Sequence, residues 1–218
     1  MSFLLDHPDG LVLFDSGIST NTSIAISKEQ NLLDSLAKIG FSPNDIKYVV
    51  CSHLHIDHAR YLKHFKKSEI IVEEAEYKNV IQLYEENKLP AVYIKKDVEE
   101  WLEADLNWRL ISSNNEVSEL LKGVTIINLG SGHSYGMLSL LIEQEASGNK
   151  LLVSDAIYCQ ENMGPPVKPP GIIHDVDGYK KSVVNILELA KKHNAQIWFG
   201  HDVEQFNDLM KFEEGYYD

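Results

Sequence analysis

The sequence has few cysteines and no long apolar run. Only Cys51 and Cys159 occur among the 218 residues, which excludes a disulfide-stapled scaffold and suits a reducing cytoplasm. The longest apolar stretches stay well below the roughly 18 residues that a membrane-spanning helix needs. After Met1 there is neither a basic segment nor a long apolar segment of the kind found in export signals. The sequence therefore predicts a soluble cytoplasmic protein with no membrane partner.

Basic residues are also scarce, since 20 Lys and Arg stand against 33 Asp and Glu, for a formal net charge of −13. An acidic surface repels phosphate backbones, so a nucleic-acid partner and a nuclease activity are both disfavoured. The contents of hydrophobic residues (44%) and charged residues (24%) are those of an ordinary globular protein. Because we find no repeat, low-complexity tract or linker, we predict a single domain over residues 1–218.

The strand patterns come early and are mixed irregularly with helical patterns, which predicts a layered α/β fold rather than a regularly alternating one. A hairpin is predicted at the start, where two apolar segments flank a turn at residues 7–10. Later strands are predicted at short apolar runs rich in β-branched residues. The predicted strands cover residues 3–5, 11–14, 46–51, 70–72, 124–129, 137–142, 150–153 and 196–199.

Three segments carry helical patterns. Ser27 and Gln30 form a candidate capping box for a helix that ends near Gly40. The acidic stretch 73–106 is predicted to be helical, and Asp177 is predicted to cap a last helix. That helix follows a loop rich in proline and glycine, which could form one wall of a pocket.

The central feature is the motif His53-x-His55-x-Asp57-His58, which places four ligand-type residues in six positions directly after a buried strand. Imidazole nitrogens and carboxylate oxygens suit zinc, iron, manganese or cobalt. A loop that leaves a strand can direct such side chains toward one point. The competing interpretation, a run of surface histidines at a strand end, explains the dense spacing less well.

Three more ligand-type residues follow apolar strands elsewhere in the sequence. His133 lies in the segment Gly130-Ser131-Gly132-His133, where glycines permit a close approach of the backbone. Asp155 and His201 each follow a predicted strand directly. Each of them alone is as well explained as a structural residue. Together with the motif at 53–58, they indicate joint metal binding.

This set of a His-x-His-x-Asp-His motif, a Gly-His, an Asp and a second Gly-His resembles the metallo-β-lactamase superfamily. The resemblance implies a four-layer αββα sandwich that binds two divalent metal ions. It implies that His53, His55 and His133 bind one ion, that Asp57, His58 and His201 bind the other, and that Asp155 bridges them. Zinc is the expected metal, with iron, manganese or cobalt as alternatives. Asp15 is expected to brace the site rather than to bind a metal.

Within the superfamily the sequence most resembles the quorum-quenching N-acyl homoserine lactonases. Tyr158 lies three residues after Asp155, where these enzymes carry a tyrosine that points into the site. The resemblance implies a metal-dependent hydrolase that opens the ester ring of a lactone, N-acyl homoserine lactone above all, by a hydroxide bridging the metals. Tyr158 would stabilise the oxyanion and Asp57 would act as a proton shuttle.

Other interpretations stay open at this point. A thioesterase of the glyoxalase II type, or another hydrolase of the same fold, would use the same metals with a different pocket. A degenerate member or a diiron redox centre would bind metal without hydrolysis, although the intact Asp57 favours hydrolysis. Tyr158 favours the lactonase, because glyoxalase II-like enzymes lack it. A monomer and a homodimer are both compatible with the sequence.

The sequence departs from the lactonase pattern at three places. Arg60 and Tyr61 follow Ala59 where two glycines are usual, and Met137 follows Gly136 where a histidine is common. Lactonases also carry some tens of residues before the first hairpin, whereas here Met1 lies directly before it. We therefore expect either that the N-terminal strand segment is lacking or that the pocket is more open.

Overall fold

The computed structural model of the protein describes residues 1–18, 31–112 and 117–218. It divides into two compact units, residues 1–111 and residues 112–218. Within the described ranges, each unit contains one five-stranded sheet. That all 218 residues act as one domain stays a prediction.

The sheet of the first unit consists of five strands in their sequence order. These strands are β1 (Phe3–Leu5), β2 (Leu11–Phe14), β3 (Ile46–Val50), β4 (Glu69–Glu73) and β5 (Asn107–Ile111). The hairpin β1–β2 is antiparallel, whereas β2, β3, β4 and β5 are parallel to one another. Parallel strands end at the same edge of a sheet, so the loops after β2, β3 and β4 meet there.

The helices of the first unit follow these strands or connect them. They are α1 (Leu32–Lys38), α2 (Ile56–Ala59), α3 (Glu74–Glu85) and α4 (Lys95–Glu103). Helix α3 packs on β4 and β5. The central strands β3 and β4 are apolar because they are covered, and Val49, Val50, Ile70 and Ile71 are all fully buried.

The sheet of the second unit has the strand order β10-β9-β8-β7-β6. Its strands are β6 (Val117–Leu121), β7 (Val124–Gly130), β8 (Met137–Ile142), β9 (Lys150–Ser154) and β10 (Gln196–Phe199). Neighbouring strands are antiparallel except for β9 and β10. Helix α5 (Val176–Lys192) packs on β7, and α6 (Val203–Asp208) follows β10. Tyr179, Val183 and Ile186 of α5 are fully buried in the core of this unit.

The predicted strands are confirmed, but β5 and β6 were not predicted. The last helix is capped by Asp175 rather than by Asp177, because the Asp175 carboxylate accepts the backbone N–H groups of Asp177 and Gly178. Asn31 caps α1 in the same way, while the predicted capping box of Ser27 and Gln30 lies outside the described residues. The acidic stretch 73–106 is helical in two pieces, α3 and α4. Among the described residues, no helix has the length and apolar character needed to cross a membrane.

Candidate metal centre

The first unit gathers the histidines of the motif at the end of β3. The chain leaves this strand at Val50 and reaches the short helix α2 at Ile56. His53, His55 and His58 are buried in this turn. The His53 ring lies 4.3 Å from the ring of His55 and 4.2 Å from that of His58, measured between centroids. Three imidazole rings packed so closely bring several nitrogen atoms of the kind that bind zinc into one turn.

Asp15 fixes the orientation of these rings from the end of β2. Its Oδ2 atom accepts a hydrogen bond from His58 Nδ1 at 2.8 Å and another from Ser52 Oγ at 2.8 Å. Its Oδ1 atom accepts the Ser52 backbone N–H at 2.7 Å. Because a carboxylate only accepts, the proton of His58 lies on Nδ1 and the metal-binding lone pair on Nε2. The expectation that Asp15 braces the site is confirmed.

Through its hydroxyl group, Ser52 fixes the tautomer of His53 as well. The Ser52 hydroxyl donates its proton to Asp15 and lies 3.0 Å from His53 Nδ1. The hydroxyl can therefore only accept from His53, which places the proton of His53 on Nδ1 and the lone pair on Nε2. A metal-binding histidine usually has its second ring nitrogen held in this way. One carboxylate thus sets the tautomers of two predicted ligands.

Asp57 lies in the first turn of α2, beside His58. Its Oδ2 atom is 3.3 Å from His58 Nε2, and about a third of its side chain is exposed. The Asp57 carboxylate thus approaches the ring nitrogen that carries the metal-binding lone pair.

The second unit brings its three predicted ligands together at the ends of β7, β9 and β10. The Asp155 carboxylate is buried and lies between two histidines. Its Oδ2 atom is 3.3 Å from His133 Nε2 and 3.2 Å from His201 Nε2, and its Oδ1 atom is 3.1 Å from His201 Nε2. His133 Nδ1 donates a hydrogen bond to the Ile172 carbonyl at 2.9 Å, which orients its Nε2 toward Asp155. The Asp155 carboxylate thus lies within about 3 Å of a ring nitrogen of each histidine, and its role as a bridging ligand stays a prediction.

Close backbone packing surrounds the glycines before His133 and His201. A Cβ atom on Gly132 would lie 3.2 Å from the Tyr179 Cα of α5. A Cβ atom on Gly200 would lie 2.6 Å from Asp155 Oδ1 and 2.7 Å from the Ser154 carbonyl carbon. The two distances at Gly200 are shorter than any real Cβ contact. Residue 200 must therefore be glycine for Asp155 to hold its position.

Tyr158 lies beside the ligands of the second unit. Its ring centroid is 4.7 Å from that of His201 and 5.4 Å from that of His133. The His201 backbone N–H donates to the Tyr158 carbonyl at 2.9 Å, which ties the two residues together. The Tyr158 ring thus contacts two predicted metal ligands, and its catalytic role stays a prediction.

The residues present fit divalent metal ions. Groups of His and Asp side chains able to hold a metal are present in the described chain. Ligand atoms around a tetrahedral zinc ion, about 2 Å from the metal, are about 3.3 Å apart. The separations of 3.3 Å for Asp57–His58 and for His133–Asp155 agree with that spacing. That these residues all bind metal stays a prediction.

Sequence reasoning missed three side chains that support this centre. Ser52 relays the hydrogen bond between Asp15 and His53. Glu76 and Tyr93 contact the motif from α3 and from the segment before α4. The sequence carried one weak signal, an acidic residue placed among the apolar positions of α3, but its partners depend on tertiary structure.

Comparison with known proteins places this geometry in a family. The sequence model of the family described as "Metallo-beta-lactamase superfamily" matches residues 1–107. N-acyl homoserine lactonase AiiB of Agrobacterium fabrum is 36% identical over 232 residues, covering 100% of this chain and 84% of that protein. The protein of the same name from Rhizobium rhizogenes is 40% identical with the same coverage.

A solved structure agrees with the curated relatives. It is that of an N-acyl homoserine lactone hydrolase with the product N-hexanoyl-L-homoserine bound at the catalytic metal center. This chain matches it with a TM-score of 0.81 and 30% identity, covering 98% of this chain and 85% of that one. The predicted fold class, that of the metallo-β-lactamases, is confirmed. The chain belongs to this superfamily and, within it, to the family of N-acyl homoserine lactonases.

Proposed function

We propose that this protein hydrolyses the ester bond of N-acyl homoserine lactones and so opens their ring. The activity is the one that names its relatives. The observation that carries it to this chain is the position of Tyr158, whose ring lies against both His133 and His201. Tyr158 is the residue that distinguishes a lactonase from a glyoxalase II-like thioesterase in the sequence.

We further propose that two divalent metal ions bind to the predicted ligands. His53, His55 and His133 would hold one ion, Asp57, His58 and His201 would hold the other, and Asp155 would bridge them. The mixture of imidazole and carboxylate donors suits zinc first, and also iron, manganese or cobalt. When bound, such ions polarise a carbonyl and lower the pKa of a water molecule toward neutrality.

The protein's own contribution is to order its ligands before any substrate arrives. Asp15 and Ser52 fix the tautomers of His58 and His53, and Ile172 does the same for His133. Asp155 is held between its two histidines and against Gly200. Such preorganisation avoids reorganisation of the site during the reaction.

Tyr158 would act on the lactone carbonyl. Its hydroxyl would donate a hydrogen bond to the carbonyl oxygen, and this bond strengthens as negative charge develops there. Asp57 would act on the opposite side of the reaction, at the leaving ring oxygen. Its carboxylate is partly exposed, so it can take a proton from solvent and deliver it to the alkoxide as the ring opens.

The test is a hydrolysis screen of the zinc-loaded protein. The substrates are N-acyl homoserine lactones of several chain lengths, simple aliphatic lactones and acyl thioesters. We expect the homoserine lactones to give the highest kcat/KM. A preference for thioesters would contradict the proposal and favour the glyoxalase II-like alternative, whereas hydrolysis of no substrate would favour a metal-binding member without activity.

The compartment and the oligomeric state belong to the same proposal. We expect the enzyme to act in the cytoplasm, because its two cysteines are not joined in a disulfide. Either a monomer or a homodimer is compatible with this function, and light scattering on the purified protein separates the two.

A further inference from the structure

A buried carboxylate of α3 contacts the metal-binding motif from behind. Glu76 is fully buried. Its Oε1 atom accepts the Leu54 backbone N–H at 2.9 Å. Leu54 lies between His53 and His55, so this bond fixes the peptide that joins the two histidines. A buried charged acceptor on a backbone N–H is among the stronger hydrogen bonds in proteins.

The same oxygen also fixes an aromatic ring that touches His55. Tyr93 is buried, and its hydroxyl donates to Glu76 Oε1 at 3.1 Å. Its ring meets the His55 ring edge-on, with 4.8 Å between the centroids and an angle of 70° between the planes. Glu76 thus controls both the backbone before His55 and the surface on which the His55 ring rests.

The segment that carries Tyr93 makes a third contact with the motif. The Ile56 backbone N–H, at the start of α2, donates to the Val92 carbonyl at 2.9 Å. Residues on both sides of His55 are therefore hydrogen-bonded to groups outside the motif, at Glu76 and at Val92. Asp15 and Ser52 orient His53 and His58, whereas His55 is approached by Tyr93.

We propose that Glu76 is a positioning residue for the first metal site, acting on His55 through Leu54 and Tyr93. This inference rests on the proposed metal centre and goes beyond it, because it assigns a role to a residue that binds no metal and touches no substrate. Outer partners of this kind typically contribute 10- to 100-fold to metal affinity. If Glu76 has this role, removing its carboxylate should lower the metal affinity specifically, rather than lower the stability of the whole fold.

The experiment measures Zn²⁺ affinity by competition with a chromophoric chelator, together with the visible spectrum of the Co²⁺-loaded protein. In Glu76→Ala we expect the affinity of one of the two sites to fall at least 10-fold, with a changed Co²⁺ spectrum. In Glu76→Gln the amide oxygen can still accept from both donors, so we expect at most about a threefold loss. If both variants lose affinity equally, or if neither does, the positioning role is wrong.

A matched control comes from the same helix. Glu73 is also buried, and its carboxylate caps α3 by accepting the backbone N–H groups of Ala75 and Glu76. Glu73→Ala should lower the melting temperature while leaving Zn²⁺ affinity within about threefold of wild type. A loss of affinity equal to that of Glu76→Ala would show that metal binding simply follows the stability of α3, which would overturn the inference.

Tyr93→Phe keeps the test decisive if Glu76→Ala does not fold. This variant retains the ring and the Leu54 bond but removes the hydroxyl, so we expect about a threefold loss of Zn²⁺ affinity and a small change in the Co²⁺ spectrum. An unchanged affinity and spectrum would contradict the proposal. A wild type that binds metal and hydrolyses no lactone would contradict the proposed function alone.

Discussion

At the scale of single residues, the role proposed for the Tyr158 hydroxyl would separate lactone hydrolysis from other reactions of this fold. Tyr158→Phe keeps the ring that contacts His133 and His201, so a loss of activity reports the hydroxyl alone. Removing a lone oxyanion donor costs 10²- to 10³-fold, and we expect less, about 10-fold in kcat/KM, because a metal shares the charge.

The measurement is kcat/KM on a good lactone substrate, with metal content determined for both proteins. Metal content should stay the same, since Tyr158 is not a predicted ligand. Equal rates for the variant and the wild type would reduce Tyr158 to a packing residue and would strengthen the thioesterase alternative.

Gly200 gives a second prediction at this scale. A methyl group there would collide with Asp155 Oδ1 at 2.6 Å and with the Ser154 backbone. We expect Gly200→Ala to displace Asp155, to lower the bound metal below two ions per chain and to destabilise the fold by about 1–3 kcal/mol. Elemental analysis and urea unfolding measure the two effects. Gly171→Ala is the matched control, because no heavy atom lies within 4 Å of its added Cβ, and retention of metal in both variants would disprove the expectation.

At the scale of elements, Asp97 makes the docking of α4 sensitive to pH. The carboxylate is buried, and burial raises the pKa of Asp97 to about 6, against the opposing effect of the Arg60 guanidinium 3.6 Å away. The other charged groups that act on it are Glu100, Lys63 and Lys96. The folded state therefore holds this proton more tightly than the unfolded state, whose pKa is near 3.8. Its contribution to stability is complete below pH 4 and is lost as the pH rises through 6.

Asp97→Asn should remove this pH dependence. Between pH 4 and pH 7 we expect the free energy of unfolding of the variant to fall less than that of the wild type, by up to about 3 kcal/mol. Urea unfolding at several pH values gives the two curves. Parallel curves would show that Asp97 titrates near its ordinary pKa in the folded protein.

Most of the predicted strands have a neighbouring strand on both sides, and the edge strands β1 and β10 were also predicted because each carries a short apolar run. β3 and β4 lie inside the first sheet and β7, β8 and β9 inside the second, so each reads as an apolar run. The two strands that were missed, β5 and β6, lie at sheet edges. β5 contains Arg109, which pairs with Glu69, and β6 contains Glu119, so neither has an apolar run to reveal it.

The candidate site was predictable to the extent that its ligands are marked by local sequence. Close spacing marks His53, His55, Asp57 and His58, and a preceding glycine marks His133 and His201. Ser52, Glu76 and Tyr93 have no such mark, because their roles depend on hydrogen bonds to residues distant in sequence. Such supporting residues can be found only once the fold is known.

At the scale of the whole molecule, metal binding should contribute to the stability of the fold. Anything that binds the folded state alone stabilises it, by about 4 kcal/mol when its concentration is a thousand times the dissociation constant. Because the proposed centre holds two ions, we expect protein purified without chelators to contain close to two metal ions per chain. Removal of the ions with EDTA should lower the melting temperature by several degrees.

Elemental analysis and thermal unfolding with and without EDTA check both expectations. Restoration of the melting temperature by added Zn²⁺ is the control that excludes damage by the chelator. A reproducible content of one ion or fewer per chain would contradict a dinuclear centre, even if the protein proved active.

Asp15 and Ser154 lie next to proposed ligands and are not glycines, yet both have left-handed backbone conformations, with φ of 61° and 47°. Such a conformation costs a residue other than glycine about 1 kcal/mol, so glycine there would relieve strain. A directed-evolution campaign that selects only for heat resistance would thus be drawn toward glycine at both positions. At residue 15 the change would delete the carboxylate that orients His58. Libraries for thermostable variants of this enzyme should therefore keep both codons fixed, or score every clone for bound metal as well as for survival.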